Sequence, residues 1–153
     1  MHILENKFPP LIITLLFSFL MWGISLITPV ISLSMATRVT LSVTIFIVGL
    51  FFCISGVVSF RRAKTTVNPL RPESVSSLVS SGVYQVSRNP MYVGFAFFLV
   101  SFMVYLSSPW ALVGVLGFVF YMNRFQIEPE ERVLEKIFNA EFIDYKSRVR
   151  RWL

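Results

Sequence analysis

Four apolar stretches take up most of this 153-residue chain, and their lengths decide what it can become. They run over about 10–33, 39–60, 91–106 and 109–123. A helix needs roughly 20 apolar residues to cross a hydrocarbon core about 30 Å thick, with about 17 as the lower limit. The first two stretches pass easily and the last two are short. Ser107, Ser108 and Pro109 divide them, because Pro109 has no N–H and steers Ser108 away from helix. A tight helical hairpin is expected there; one long bent helix would carry the tail to the opposite side. The composition agrees with a membrane protein. It is 55% hydrophobic with a mean hydropathy of +0.70, and only 14% charged, against about 25% in soluble domains. The expected fold is an all-α integral membrane protein of about four transmembrane helices in a single domain, 1–153.

Charge sets the expected orientation. Thirteen of the fourteen Lys and Arg flank the helices on one side if four cross; Arg38 alone lies between the first two. The bent-helix alternative would split the basic groups almost evenly. The excess of Lys and Arg in cytoplasmic loops then places both termini and the 61–90 loop in the cytoplasm. The net charge of +6 is a topology signal and not a nucleic-acid footprint. A signal peptide is disfavoured, because the first stretch exceeds the ~7–15 residues of an apolar signal core and Glu5 accompanies Lys7. One cysteine (Cys53, in an apolar segment) and one histidine (His2) leave no ordinary transition-metal ligand set. Gly114 and Gly117 lack the four-residue spacing of a helix-pairing motif, so oligomeric state stays open.

Two polar segments remain. In the loop, Pro72, Glu73, Val75, Leu78 and Val79 predict a short surface helix that Gly82 would stop. The tail from Glu128 to Leu153 reads as an amphipathic helix, opened by Glu128, Pro129, Glu130 and Glu131. Its apolar face continues through Phe142, Tyr145, Val149 and Trp152, and Arg148, Arg150 and Arg151 suit anionic headgroups.

The stretch LVSSGVYQVSRNPMYVG, residues 78–94, is polar and turn-rich at a membrane boundary. Irregular backbone is stable there only where protein buries it or it lines a cavity. The hairpin returns the chain to the same side, so this stretch and the glutamates at 128–131 are expected to meet. One offers donors (Arg88, Asn89, tyrosine hydroxyls) and the other carboxylates, which together match a zwitterionic amino acid. The competing reading is a salt-bridge network that only fixes the hairpin.

The same stretch resembles the signature L-V-x-x-G-x-Y-x-x-x-R-[HN]-P-x-Y-x-G of isoprenylcysteine carboxyl methyltransferase-like and phospholipid methyltransferase-like membrane enzymes. Their second signature is similar to Glu130-Glu131-Arg132-Val133-Leu134, then Phe138, Tyr145 and Val149-Arg150-Arg151 here. The resemblance covers roughly 68–153. It implies S-adenosylmethionine as cofactor, with Ser76, Ser77, Leu78, Val79, Tyr84, Asn89, Pro90, Met91, Tyr92 and Glu130 lining it. On this reading Glu130 pairs with the methionyl ammonium. Asn89, a tyrosine hydroxyl or backbone N–H groups near Gly82 hold the carboxylate, and Tyr84 and Tyr92 pack on the adenosine. Arg88, Glu130 and Glu131 are the candidate catalytic residues, Glu131 or Glu128 serving as base for an amine acceptor. Gln126 is the candidate substrate-binding residue.

Two departures matter. Asn89 stands where the eukaryotic enzymes have histidine, so it hydrogen-bonds but cannot titrate. Gln126 stands where they have an arginine against the substrate, and Arg124 is on roughly the opposite side of the helix. A prenylcysteine carboxylate is therefore not the expected acceptor by default. The implied function is methyl transfer to a lipophilic or small acceptor (carboxylate, thiol or amine), with the lipid bilayer as the other partner. Two alternatives are a non-catalytic protein binding anionic lipid headgroups and a sterol-reductase-like relative. The latter would need a phosphate cradle that the sequence does not display.

Overall fold

A computed structural model describes residues 7–63 and 77–153. It contains five α-helices and, among the described residues, no strand: α1 Pro10–Ile27, α2 Met35–Arg62, α3 Pro90–Leu106, α4 Leu112–Met122 and α5 Glu128–Arg148. Three helical stretches are long and apolar enough to cross a membrane (α1, α2, and the continuous run containing α4), and α3 is a shorter apolar helix of 17 residues. The chain is thus an all-α membrane protein. We take the membrane-spanning part of the α4 run to end at Asn123, where polar side chains begin.

Local chemistry explains most boundaries. Pro10 and Pro90 open α1 and α3, where the missing N–H has no partner to lose. Ser34 caps α2, its hydroxyl accepting from the Thr37 N–H at 3.1 Å. The basic pair Arg61–Arg62 closes α2 at the negative end of its dipole. Hydroxyls within α1 bond back into the helix, Thr14 Oγ1 to the Pro10 carbonyl and Ser18 Oγ to that of Thr14. They leave no unmet polar group toward lipid.

Several boundaries differ from the sequence expectation. The first helix ends at Ile27, not near 33, because Pro29 holds Thr28 extended at φ −118°, ψ 153°. The fourth helix does not stop near 123; it continues through a π-turn, Asn123–Ile127, straight into α5. The helix expected at 72–82 lies largely outside the described residues. Within them, 77–80 are irregular, and Gly82, at φ 64°, opens a short 3₁₀ turn (Gly82–Gln85) instead of ending a helix. The tail is not one surface helix. Asn139 breaks it at φ 40°, ψ −112°, and beyond Arg148 residues 149–153 leave helical geometry.

The hairpin forms as expected. Ser107 turns the chain in the left-handed region, φ 52°, and α4 packs back against α1 and α3. At this end the Ile31 N–H donates to the Ser107 carbonyl at 2.8 Å, and Arg38 Nε to that of Tyr105 at 2.9 Å. The opposite end gathers residues 77–90, the π-turn, the start of α5 and residues 149–152.

α2 and α3 pack most extensively, through small residues. A Cβ at Gly94 would meet Cys53 Sγ and would lie 2.7 Å from the Gly49 carbonyl oxygen, so the backbones touch. Phe46 on Phe98 and Phe52 on Phe97 stack on either side, with centroids 4.6 and 5.8 Å apart. The core holds Met21, Leu99, Ala111, Phe118, Met122 and Ile127, all fully buried. A second cluster of Val79, Tyr84, Phe142 and Tyr145 joins the 77–85 segment to α5. Leu15, Phe19, Ile27 and Phe51 point outward, as suits a lipid-facing surface.

Candidate functional site

Glu130 sits in the first turn of α5 and faces the first turn of α3. The Tyr92 hydroxyl donates to Glu130 Oε1 at 2.6 Å, and Gln126 Nε2 donates to the same oxygen at 2.8 Å. Oε2 has no hydrogen-bond partner among the described residues, nor is it one of their buried, unpartnered polar atoms. The π-turn brings Gln126 into this group. Arg124, two residues earlier, points elsewhere and pairs with Glu128 at 2.8 Å. Burial pushes the Glu130 carboxyl up to about 7, against the Tyr92 and Gln126 hydrogen bonds, which lower it; the neighbouring Glu131 charge adds to the rise. Tyr84 belongs to the same neighbourhood. Burial raises its hydroxyl pKa, and the charges of Tyr145 and Glu130 raise it further. Its ring meets Phe60 edge-on, and its carbonyl accepts from the Tyr145 hydroxyl at 2.6 Å.

Glu131, one residue on, faces a different set. Arg88 Nη2 lies 2.7 Å from its Oε1 and Arg151 Nη2 lies 2.6 Å from its Oε2. Burial acts to raise this carboxyl, but hydrogen bonds from Arg151 and Arg88, and then their charges, hold it below the usual carboxylate range. Arg88 is further committed to the Val149 and Lys146 carbonyls at 2.5 and 3.3 Å.

The remaining sequence-derived candidates divide. Asn89 precedes α3 and donates one amide hydrogen to the Arg151 carbonyl at 3.0 Å, leaving its second. Pro90 is buried in the first turn of α3, and Met91 packs toward Gly56 of α2. Val79 is buried beneath α5, and Leu78 packs against the same cluster. Ser77 Oγ donates to the Ala63 carbonyl at 3.2 Å, tying the loop to the end of α2. Gly82 is the left-handed turn before Tyr84. Ser76 lies outside the described residues.

Two contributors escape sequence reasoning. Arg151 was expected at lipid headgroups but turns inward, its guanidinium held by the Glu131 carboxylate and its backbone carbonyl by donors from the Ser87 and Asn89 side chains. Trp152 Nε1 donates to Asn123 Oδ1 at 3.0 Å, pinning residues 149–152 across the π-turn. A run of three arginines in four residues gives no sign of which one turns inward. Among the described residues no group of His, Cys, Asp and Glu could hold a metal.

The profile of the family described as phospholipid methyltransferase matches residues 37–141. A protein-S-isoprenylcysteine O-methyltransferase of Saccharomyces cerevisiae is 38% identical over 82 residues, 52% of this chain and 33% of that one. Protein-S-isoprenylcysteine O-methyltransferase B of Arabidopsis thaliana is 30% identical over 109 residues, 69% of this chain and 54% of that one. An uncharacterized protein of Haemophilus influenzae is 40% identical over 63 residues, 41% of this chain and all of that one. The chain thus spans about a third to a half of the two named enzymes. No solved structure matches. With the matched region reaching from α2 into α5, and so including both the 78–94 stretch and the glutamate pair, the chain belongs to the phospholipid methyltransferase family, among its isoprenylcysteine methyltransferase-like membrane proteins.

Proposed function

We propose that this chain is an integral membrane methyltransferase that uses S-adenosylmethionine and methylates a lipophilic or small acceptor, with its site on the cytoplasmic side of a prokaryotic inner membrane. The observation that carries the reading is Glu130. A partly buried carboxylate, oriented through one oxygen by Tyr92 and Gln126 and with no partner among the described residues at the other, suits an ammonium group. The Asn89 amide, with one hydrogen still available at the positive end of α3, suits the carboxylate of the same amino acid. Tyr84 and Tyr92 supply the aromatic surface for a nucleoside and a sulfonium. The residues present therefore fit the cofactor.

S-adenosylmethionine, when bound, supplies an electrophilic methyl on a sulfonium whose leaving group is a neutral thioether. The protein then has no leaving group to protonate. Its residues contribute by holding donor and acceptor in line and by excluding water. Glu130 fixes the amino-acid end, Tyr92 and Gln126 hold Glu130, and the buried Val79–Phe142 cluster closes the side facing α5. Among the described residues, both hydrogen-bond donors that reach Glu130 are neutral. Arg88, Arg151 and Arg124 are each paired with a carboxylate. This arrangement favours a neutral acceptor over an anionic one.

The test is calorimetric titration of S-adenosylmethionine and S-adenosylhomocysteine into the detergent-purified protein. Saturable micromolar binding that drops in Glu130→Gln and Tyr92→Ala is expected. Folded protein that binds neither ligand would refute the assignment and return the loop and tail to headgroup binding.

A further inference from the structure

Two rungs join the start of α3 to the start of α5. The inner rung is Tyr92 to Glu130, at 2.6 Å. The outer rung is Arg88 to Glu131, at 2.7 Å, with both side chains about nine-tenths buried. Each rung takes one of two consecutive residues on α5, and their partners, Arg88 just before α3 and Tyr92 within it, straddle Pro90. The outer rung is closed from its other side by Arg151, which reaches Glu131 Oε2 at 2.6 Å and Oε1 at 3.3 Å. Both Glu131 oxygens are therefore charge-paired, and the carboxylate has little capacity left for a substrate proton. The backbone repeats the connection. The Arg88 N–H donates to the Arg150 carbonyl at 2.9 Å, and Ser87 Oγ and Asn89 Nδ2 donate to that of Arg151 at 3.3 and 3.0 Å.

We propose that Arg88, Glu131 and Arg151 form the positioning frame of the site and take no part in the chemistry. They set the rotation of α5 against α3, and so the place at which Glu130 is presented to its ligand. Residues 149–152 are part of the site through this frame. The proposal rests on the methyltransferase reading and assigns its parts. It differs from a role for Glu131 as general base, in which that residue would touch the acceptor.

The titratable groups facing Glu130 are Tyr92 from α3, Tyr84 from the 3₁₀ turn and Glu131 from its own helix. Disturbing the frame changes both the position and the charge environment of Glu130, and the two changes have signs. Arg151→Ala leaves the Glu131 charge less compensated, so Glu130 ionises at higher pH. Glu131→Gln removes that charge, so Glu130 ionises at lower pH.

The experiment measures S-adenosylhomocysteine affinity of the full detergent-purified chain from pH 6 to 8, with turnover of labelled methyl donor alongside. Both variants are expected to bind on the order of tenfold more weakly, the scale of lost outer supports elsewhere, with the acid limb moved up in Arg151→Ala and down in Glu131→Gln. Arg151→Lys, which keeps the charge but loses the fork, is the milder variant should the alanine fail to fold; it is expected to weaken binding in the same direction. Wild-type affinity and an unmoved acid limb in the Arg151 variants would overturn the frame. So would a Glu131→Gln protein that binds like wild type and has lost turnover, which would make Glu131 a chemical group. Wild-type protein that binds no donor would instead sink the methyltransferase reading, and this proposal with it.

Discussion

Lowering the pH from 7.5 to 6 is expected to weaken S-adenosylhomocysteine binding roughly sixfold. The perturbation acts on Glu130, whose carboxyl sits at about 7 in the empty protein. The ligand's ammonium needs the ionised form, while the ligand itself loses its proton near an ordinary α-amino value of about 8. The profile is therefore bell-shaped, with its maximum near pH 7.5. At the maximum, roughly 60% of encounters pair an ionised Glu130 with an ammonium. At pH 6 about a tenth of Glu130 is ionised, and the ratio of these fractions gives the sixfold loss. Tyr92→Phe removes a hydrogen bond that lowers the Glu130 pKa, so its acid limb moves to higher pH. Glu130→Gln has no acid limb. Calorimetry in buffers of matched ionic strength gives the dissociation constant at each pH. A flat profile between 6 and 7.5 in the wild type would refute the reasoning, because a buried carboxylate holding an ammonium must lose it on protonation. Folding stability has the opposite sign. A raised carboxyl favours the neutral form, so Glu130 stabilises the empty fold most fully below its ordinary value of 4.5, and that contribution is lost as pH rises through about 7. Glu131, whose pKa is lowered, contributes stability that is present at neutral pH and is lost as pH falls through its folded value.

Other outcomes follow from single contacts. Gly94→Ala would drive a methyl into the Gly49 carbonyl and Cys53 Sγ; a loss of about 1–3 kcal/mol is expected from overpacking, read as a lowered thermal midpoint in detergent. Adding Cys53→Ala should restore only part of it, because the Gly49 backbone stays. Tyr145→Phe removes the donor to the buried Tyr84 carbonyl. It should cost about 1–3 kcal/mol, measured by thermal melting, and weaken donor binding because the Tyr84 segment loosens.

The membrane fold was legible because hydrocarbon imposes a length rule, and the 10–27 and 35–62 helices satisfy it without help from their neighbours. The 107–109 hairpin was legible because Pro109 cannot continue a helix. The π-turn at 123–127 was not. A helix that is apolar all round carries little periodicity, so one extra residue in a turn leaves no mark on its pattern. The break at Asn139 left little mark in the sequence: Lys136, Ala140 and Glu141 around it favour helix, and asparagine tolerates positive φ without requiring it. Glu130, Tyr92 and Gln126 could be named from spacing and resemblance. Their convergence on one oxygen, and the separate attachment of Glu131 to Arg88 and Arg151, depend on the rotation of α5, which only the three-dimensional packing sets.

The contribution of residues 149–152 has a consequence for the timing of biogenesis. Translation makes this segment after all five helices, at about 5–20 residues per second. Until it emerges, the Arg88 guanidinium lacks the Val149 carbonyl and Glu131 lacks Arg151. The helices can enter the bilayer one after another while the site is still unassembled. A nascent chain stalled short of residue 149 would therefore be inserted, helical and inactive, and its donor-binding capacity would appear in a single late step rather than growing with chain length.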